Sequence, residues 1–373
     1  MSQSNGAVEE AVPRSRSILT ERLPLRRLIL WVLSVLIVLG VLYGSLRTLT
    51  LPAGEGRLGL SFWRDTLVLG IAQGSIYALI ALGYSLVYGI LLMINFAHGE
   101  VFMSGAFASF FVASTLNQKG FINRQPVLSL VILLLVAMVV STLVALLLER
   151  VAYRPLRNAP RLVPLITAIG ASLFLQNTFR GFFGPQTRGY PTFDSLEGNW
   201  KVLGVPVLKT QVLVIVTAVL VMIGLMLFVA RTRTGKSMRA VSEDREIASL
   251  MGINVNRVIA VTFAIGGVMA GVAGVLFALV FGQVNAFMGF IPGIKAFTAA
   301  VLGGIGSIPG AALGGLILGV VESVGPYLLL TGAHVPSPNQ LRDVIAFAIL
   351  VLVLIFRPGG ILATGERDKE GMT

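Results

Sequence analysis

Asn95, His98 and Glu100 stand together in "MINFAHGEVFM", residues 93–103, between two long apolar runs. An amide, an imidazole and a carboxylate at this spacing can hold an ammonium group, steer a neighbour or relay a proton. From Asp65 to Lys119, His98 and Glu100 are the only ionisable side chains between those two ends, tyrosines aside. Two membrane spans fit there with no ordinary polar loop between them. The trio is therefore expected at a helix–helix corner or at a break within the membrane, shielded by protein and nearer the cytoplasmic side. Unpaired ionisable groups at such depth cost several kcal/mol, so they face a cavity or a partner. Two readings follow. In one the trio lines a pathway, with half-helix ends offering N–H groups. In the other Asn95 caps a helix and Glu100 pairs with a loop arginine.

Lys295 and Glu322 form a second intramembrane set, expected in the outer half of adjacent spans, where each neutralises the other as a structural ion pair. Residues 230–237, "ARTRTGKS", end like a phosphate-binding loop, but Ala230 replaces the first glycine and a membrane helix precedes it. Neither requirement of that motif is met. The chain offers no second nucleotide motif, so any ATP that drives it is bound by another subunit. Glycines at 267 and 271, 310 and 314, and 315 and 319 have the spacing that lets helix backbones approach.

These residues need apolar elements to hold them. The 373-residue chain is 55% hydrophobic and 12% charged, against about 25% charged in soluble domains. Most of it must face lipid or buried protein. Cysteine is absent, which excludes disulfides and thiolate metal sites; no metal is expected. The net charge of +12 does not imply nucleic acid, because the basic residues sit in short loops between apolar runs. A hydrocarbon core of roughly 30 Å takes about 20 helical residues. Spans are expected near 28–46, 66–90, 96–114, 127–148, 163–181, 211–230, 258–282 and 341–356, with two more in 293–330, the first short and glycine-rich near 294–306. The fold class is all-α: a polytopic integral membrane helical bundle of about nine to ten transmembrane helices, one or more of them broken or short.

Arg14, Arg16, Arg22, Arg26 and Arg27, the loop with Arg150, Arg154, Arg157 and Arg161, the loop 231–257, and the tail with Arg357, Arg367 and Lys369 all fall on one side if ten spans cross. That side is expected to be cytoplasmic, with both termini there. Residues 1–27 are expected as a disordered basic tail, 28–56 as an uncleaved anchor helix and loop, and 57–373 as the main membrane domain. The first run is about 19 residues, longer than a signal peptide's apolar region, and no cleavage site follows it.

The loop after Arg231 continues "SMRAVSEDREIASLMGINVNRVIAV". Its 240–252 part has helix formers, Glu243 and Asp244 in early turns and Gly252 as a stop. Read as one surface helix, it shows Ile247, Leu250 and Met251 on one face. A membrane protein without its own motor needs such a knob to receive force.

"EIASLMG", 246–252, resembles the EAA---G signature of permease subunits in ATP-binding-cassette importers, with Glu246, Ala248 and Gly252 matching. Ile247 replaces the central alanine, and the Leu-Pro further on in the signature is missing. With "GSIYALIALGYSLVYGILLMINFAHGE", "ERVAYRPLR", "LITAIGASLFLQN", "MRAVSEDREIASLMGINVNRVIAVTFAIG" and "KAFTAAVLGGIGSIPGAALGGLILG", the chain over about 60–360 resembles the first permease subunit of the high-affinity branched-chain amino-acid importers. The span 28–46 is outside that pattern.

The resemblance implies a transport subunit rather than an enzyme, without cofactor, forming half of a pore in a bacterial inner membrane. It implies a sister permease, two ATPases below, an extracytoplasmic substrate-binding protein and a lipid surround. Leucine, isoleucine and valine are the implied substrates, with urea, amides or other amino acids as the family's alternatives. Asn95, His98 and Glu100 then join Thr167, Gln176 and Asn177 as pathway candidates, and Glu243, Asp244, Glu246, Ala248 and Gly252 as ATPase contacts. Interhelical hydrogen bonding is the structural alternative for each polar membrane residue. A proton-coupled transporter relaying through His98 and Glu100, or a scaffold that transports nothing, are the readings outside this class.

Overall fold

The computed structural model describes residues 22–362 apart from 52–57, 158, 161, 203, 204, 333 and 358. The expected disorder of residues 1–20 falls outside the described residues, as do Arg14, Arg16, Arg161, Arg367 and Lys369.

The long apolar runs become helices, which satisfy every backbone group within the segment where lipid offers no partner. In order they are α1 (Arg22–Leu49), α2 (Leu60–Leu91), α3 (His98–Gln118), α4 (Phe121–Arg124), α5 (Pro126–Leu148), α6 (Leu162–Phe183), α7 (Lys209–Arg231), α8 (Arg233–Glu243), α9 (Arg245–Leu250), α10 (Val255–Phe281), α11 (Phe290–Gly303), α12 (Ile308–Leu330) and α13 (Arg342–Phe356). A π-helical turn, Glu149–Tyr153, extends α5. Two short antiparallel pairs complete the fold: β1 (Arg188–Gly189) with β4 (Gln283–Val284), and the hairpin of β2 (Asn199–Val202) with β3 (Val205–Leu208). Helix α1 begins at Arg22, inside the stretch expected as a tail.

Among the described residues nine helical segments are long and apolar enough to cross a membrane. The tenth expected segment, near 294–306, is a shorter apolar helix not counted among these nine. Helix α11 has 14 residues, which rise only about 21 Å. Pro292 and Gly293 lie in its first turn, and Gly304 at φ 109° stops it. The chain direction nevertheless holds. Glycines 315 and 319 of α12 face Ala78 and Gly74 of α2, so α12 runs antiparallel to α2. After α13, the N–H groups of Ile361 and Leu362 donate to the carbonyls of Leu302 and Gly303, at 2.9 and 3.0 Å. The ends of α11 and α13 therefore lie together.

The chain divides into two compact units. In the larger, 58–327 with 337–373, the central helices α2, α3 and α10 are mostly buried, while α5, α6, α7 and α13 show apolar faces outward. Association in lipid relies on close packing rather than on expelling water. Small residues provide it: Gly267 lies on Ser141 and Thr142 of α5, Gly271 on Ala137, and Gly314 on Ala299 of α11. One end of this unit gathers the strands and the Asn123–Asp194 hydrogen bond of 2.7 Å. The other gathers α8, α9 and the Arg157 side chain, which bonds both Glu149 and Asn256. In the smaller unit, Gly44 of α1 lies against the Leu329 backbone, and Thr48 Oγ1 accepts from the Gly332 N–H at 2.8 Å.

Candidate translocation site and coupling surface

Helix α2 ends at Leu91, and Leu92 takes the left-handed conformation at φ 54°. Residues 92–97 are non-helical and turn back into the bundle. Helix α3 then starts at His98, whose ring lies against Gly83, about two turns before the end of α2, and near Gly266 of α10. Tyr84 packs edge-on to it at 5.0 Å. The polar trio thus lies at and just after the non-helical connection between α2 and α3, buried within the bundle.

Glu100 is 1% exposed. Its Oε1 accepts from Gln176 Nε2 at 2.7 Å and Ser172 Oγ at 3.1 Å, both on α6. Pairing with a loop arginine is therefore corrected: amide and hydroxyl donors from α6 occupy the carboxylate. Oε2 has no hydrogen-bond partner among the described residues. It points toward Gly289, where a Cβ would come within 2.8 Å. Gly99 and Gly289 touch backbone to backbone, and Gly293 lies on Gly99. The N-termini of α3 and α11 therefore meet beside Glu100. Each carries partial positive charge, which suits a buried carboxylate.

Asn95, 3% exposed, caps no helix with its side chain; its Oδ1 accepts from Tyr153 OH at 2.6 Å. Thr167 and Asn177 are not brought to this cluster. Each bonds the carbonyl four residues back on α6, Val163 and Leu173. Gln176 is brought in. Beside the cluster lies a pocket of about 240 Å³, walled by Tyr84, Phe96, Ile169, Leu173, Phe290 and Ile294, with Ser172 as a polar point.

Lys295 donates to Glu322 Oε1 at 2.6 Å, as expected of the pair, and reaches Asp343 at the same distance. Arg342 Nε stands 3.8 Å from both carboxylates, and Tyr77 OH donates to Glu322 at 3.4 Å. The pair is part of a neutral four-charge network.

The single helix expected over 240–252 is corrected to two. Glu243 is the last residue of α8, not an early one, and Asp244 caps α9 by accepting from the N–H groups of Glu246 and Ile247 at 2.8 and 2.9 Å. An aspartate that can bond the next turn competes with helix continuation. Gly252, at φ 82°, ends the element. Ala248 is buried, while Ile247, Leu250 and Met251 are 60, 87 and 78% exposed, an apolar surface with charges around it. The phosphate-loop look-alike is a helix corner: Thr232 Oγ1 caps α8 at the Gly235 N–H, and Gly235 abuts the Val229 carbonyl. Arg245 turns inward, and its Nε and Nη2 donate to the Ile90 carbonyl at 3.1 and 2.5 Å. Burial lowers its pKa, and Arg157 nearby lowers it further.

Ser172, Tyr153, Gly289 and Arg245 were not singled out from sequence. Ser172 had a signal, since it lies four residues before Gln176 and so on the same helix face.

The family of the branched-chain amino acid transport system permease component matches residues 66–354. The high-affinity branched-chain amino acid transport system permease protein BraD of Pseudomonas aeruginosa is 47% identical over 308 residues, covering 81% of this chain and 96% of that protein. The permease protein LivH of the same kind of system is 44% identical over 305 residues in both Salmonella typhimurium and Escherichia coli, covering 80% of this chain and 95% of each. Helix α1 precedes the family match. With nine candidate membrane spans among the described residues and these likenesses, the chain belongs to the family of branched-chain amino acid transport system permease components.

Proposed function

We propose that this chain is the membrane half-pore of an ATP-driven importer of leucine, isoleucine and valine. One observation carries the substrate class: the wall of an apolar pocket includes Ser172, whose hydroxyl donates to the buried Glu100 carboxylate. The pocket suits a branched aliphatic side chain. Glu100 Oε2 suits an ammonium, and the N–H ends of α3 and α11 suit a carboxylate. Ser172 and Gln176 hold Glu100 in place, and Tyr153 holds Asn95. Urea has no apolar part to fill the pocket, so it gains less there. Among the described residues no hydrogen bond joins His98 Nε2 to Glu100, so the direct contact a relay between them would use is not made.

A sister permease completes the pore, and an extracytoplasmic binding protein sets affinity and delivers substrate. Two ATPases dock on Ile247, Leu250 and Met251, with Glu243, Asp244, Glu246, Ala248 and Gly252 shaping that surface. The α8–α9 end faces the cytoplasm of a bacterial inner membrane, since the basic loops gather there, and both termini lie on that side. The residues from 58 onward form the permease domain, and the helix from Arg22 to Leu49 is an added anchor. ATP binding favours one packing of the halves and hydrolysis the other. Disrupting the gene and comparing uptake of labelled leucine and urea tests the reading. Loss of leucine uptake alone supports it; loss of urea uptake with leucine unchanged overturns it.

A further inference from the structure

The geometry points to Arg245 as the positioning residue through which movement of the α8–α9 loop reaches the break in the membrane. Three observations carry this, together with the reading of α8–α9 as the ATPase contact, on which it rests.

First, Ile90 lies in the last turn of α2, so its carbonyl has no intrahelical partner. The Arg245 guanidinium takes that vacancy with two donors, a cation at a helix C-terminus where the dipole favours it. Second, Arg245 is the first residue of α9, directly after the Asp244 cap. Any shift of the exposed apolar face of α9 moves this side chain with it. Third, the chain from Ile90 to the polar trio is short and fastened at its far side. Leu92 is left-handed, Asn95 is held by Tyr153, and His98 starts α3. A displaced Ile90 has only residues 92–97 in which to absorb the change before it reaches Glu100. Tyr153 sits in the π-helical turn whose Glu149 is bound by Arg157, which also bonds Asn256 at the start of α10. The connection is thus held from two elements, and the Arg245 side-chain hydrogen bonds come from the one read as ATPase-facing.

The chain has no cysteine, so Ile94→Cys on this subunit reports the break alone, read as a mass-tag shift of this band. The complete transporter is labelled with and without ATP plus vanadate, carrying Arg245, Arg245→Met or Arg245→Lys. With Arg245 the labelling rate changes about tenfold between states, the weight of a charge-assisted hydrogen bond. Arg245→Met reduces the change to under about twofold while the ATPases still co-purify, since their contacts on α9 are untouched. Arg245→Lys, with one donor direction in place of a fork, falls between. If Arg245→Met does not assemble, Arg245→Lys decides: a reduced response supports the assignment and a full one overturns it. A full nucleotide response with normal leucine uptake in Arg245→Met overturns it outright. Failure of any ATPase to co-purify with the Arg245 chain overturns the docking reading and this inference together.

Discussion

Removing Lys295 alone should harm the bundle more than removing Lys295 and Glu322 together. Lys295 is 4% exposed and lies 2.6 Å from both Glu322 and Asp343; Glu322 is 1% exposed. In Lys295→Met the Glu322 carboxylate keeps only Tyr77 at 3.4 Å and Arg342 at 3.8 Å. Breaking a buried pair by removing one partner costs about 3–5 kcal/mol. In the double variant with Glu322→Leu both fully buried charges are gone. What remains is Arg342 with Asp343, 39 and 44% exposed, a contact of about 0–1 kcal/mol. Replacing a buried pair by apolar groups of similar size is often neutral, so the double variant should lie within about 1 kcal/mol of the parent. The interaction term then exceeds about 2 kcal/mol. Reversible unfolding of the purified subunit in mixed micelles, titrated with a denaturing detergent, measures the parent, Lys295→Met, Glu322→Leu and the double variant. Additive losses, or a double variant weaker than Lys295→Met, would refute the reasoning.

Gly319→Leu should destabilise by about 1–3 kcal/mol or more, because its Cβ meets the backbone of Gly74 and the Gly70 carbonyl at 2.6 Å; Gly224→Leu, with open space around it, should be nearly neutral in the same titration. Gly252→Val forces a branched residue into φ 82° at about 1–2 kcal/mol, which should lower ATPase recovery without changing the bundle's circular dichroism. Leu250→Asp, at an 87% exposed site, should leave stability within about 0.5 kcal/mol yet reduce ATPase co-purification; unchanged recovery would count against docking there. Glu100→Gln keeps an acceptor for Ser172 and Gln176 but removes the charge, so leucine uptake should fall about tenfold in a subunit that still assembles.

Much of the frame was legible because membranes leave few options. Apolar length predicted the helices, and glycine spacing at 315 and 319 and at 267 and 271 predicted the close contacts that α12 and α10 make. The isolation of His98 and Glu100 predicted a shielded break. Which segment covers it was not legible, because the Gly99–Gly289 contact joins segments nearly 200 residues apart. The Lys295–Glu322 pair followed from adjacent spans; Arg342 and Asp343 join from beyond a loop whose return path the sequence does not specify. Asp244 misled for a local reason. Its neighbours favour helix, but its short carboxylate bonds the next turn better as a cap. Thr167 and Asn177 looked equivalent to Gln176 because polarity alone does not tell which face of α6 turns inward.

The central claim is that this subunit passes aliphatic amino acids using force from ATP hydrolysed elsewhere. The most direct measurement is labelled leucine accumulation in proteoliposomes holding the complete transporter with its binding protein, with ATP supplied on the ATPase side and ionophores collapsing every ion gradient. The account predicts accumulation that requires ATP and survives the ionophores. Accumulation driven by a proton gradient without ATP would contradict it.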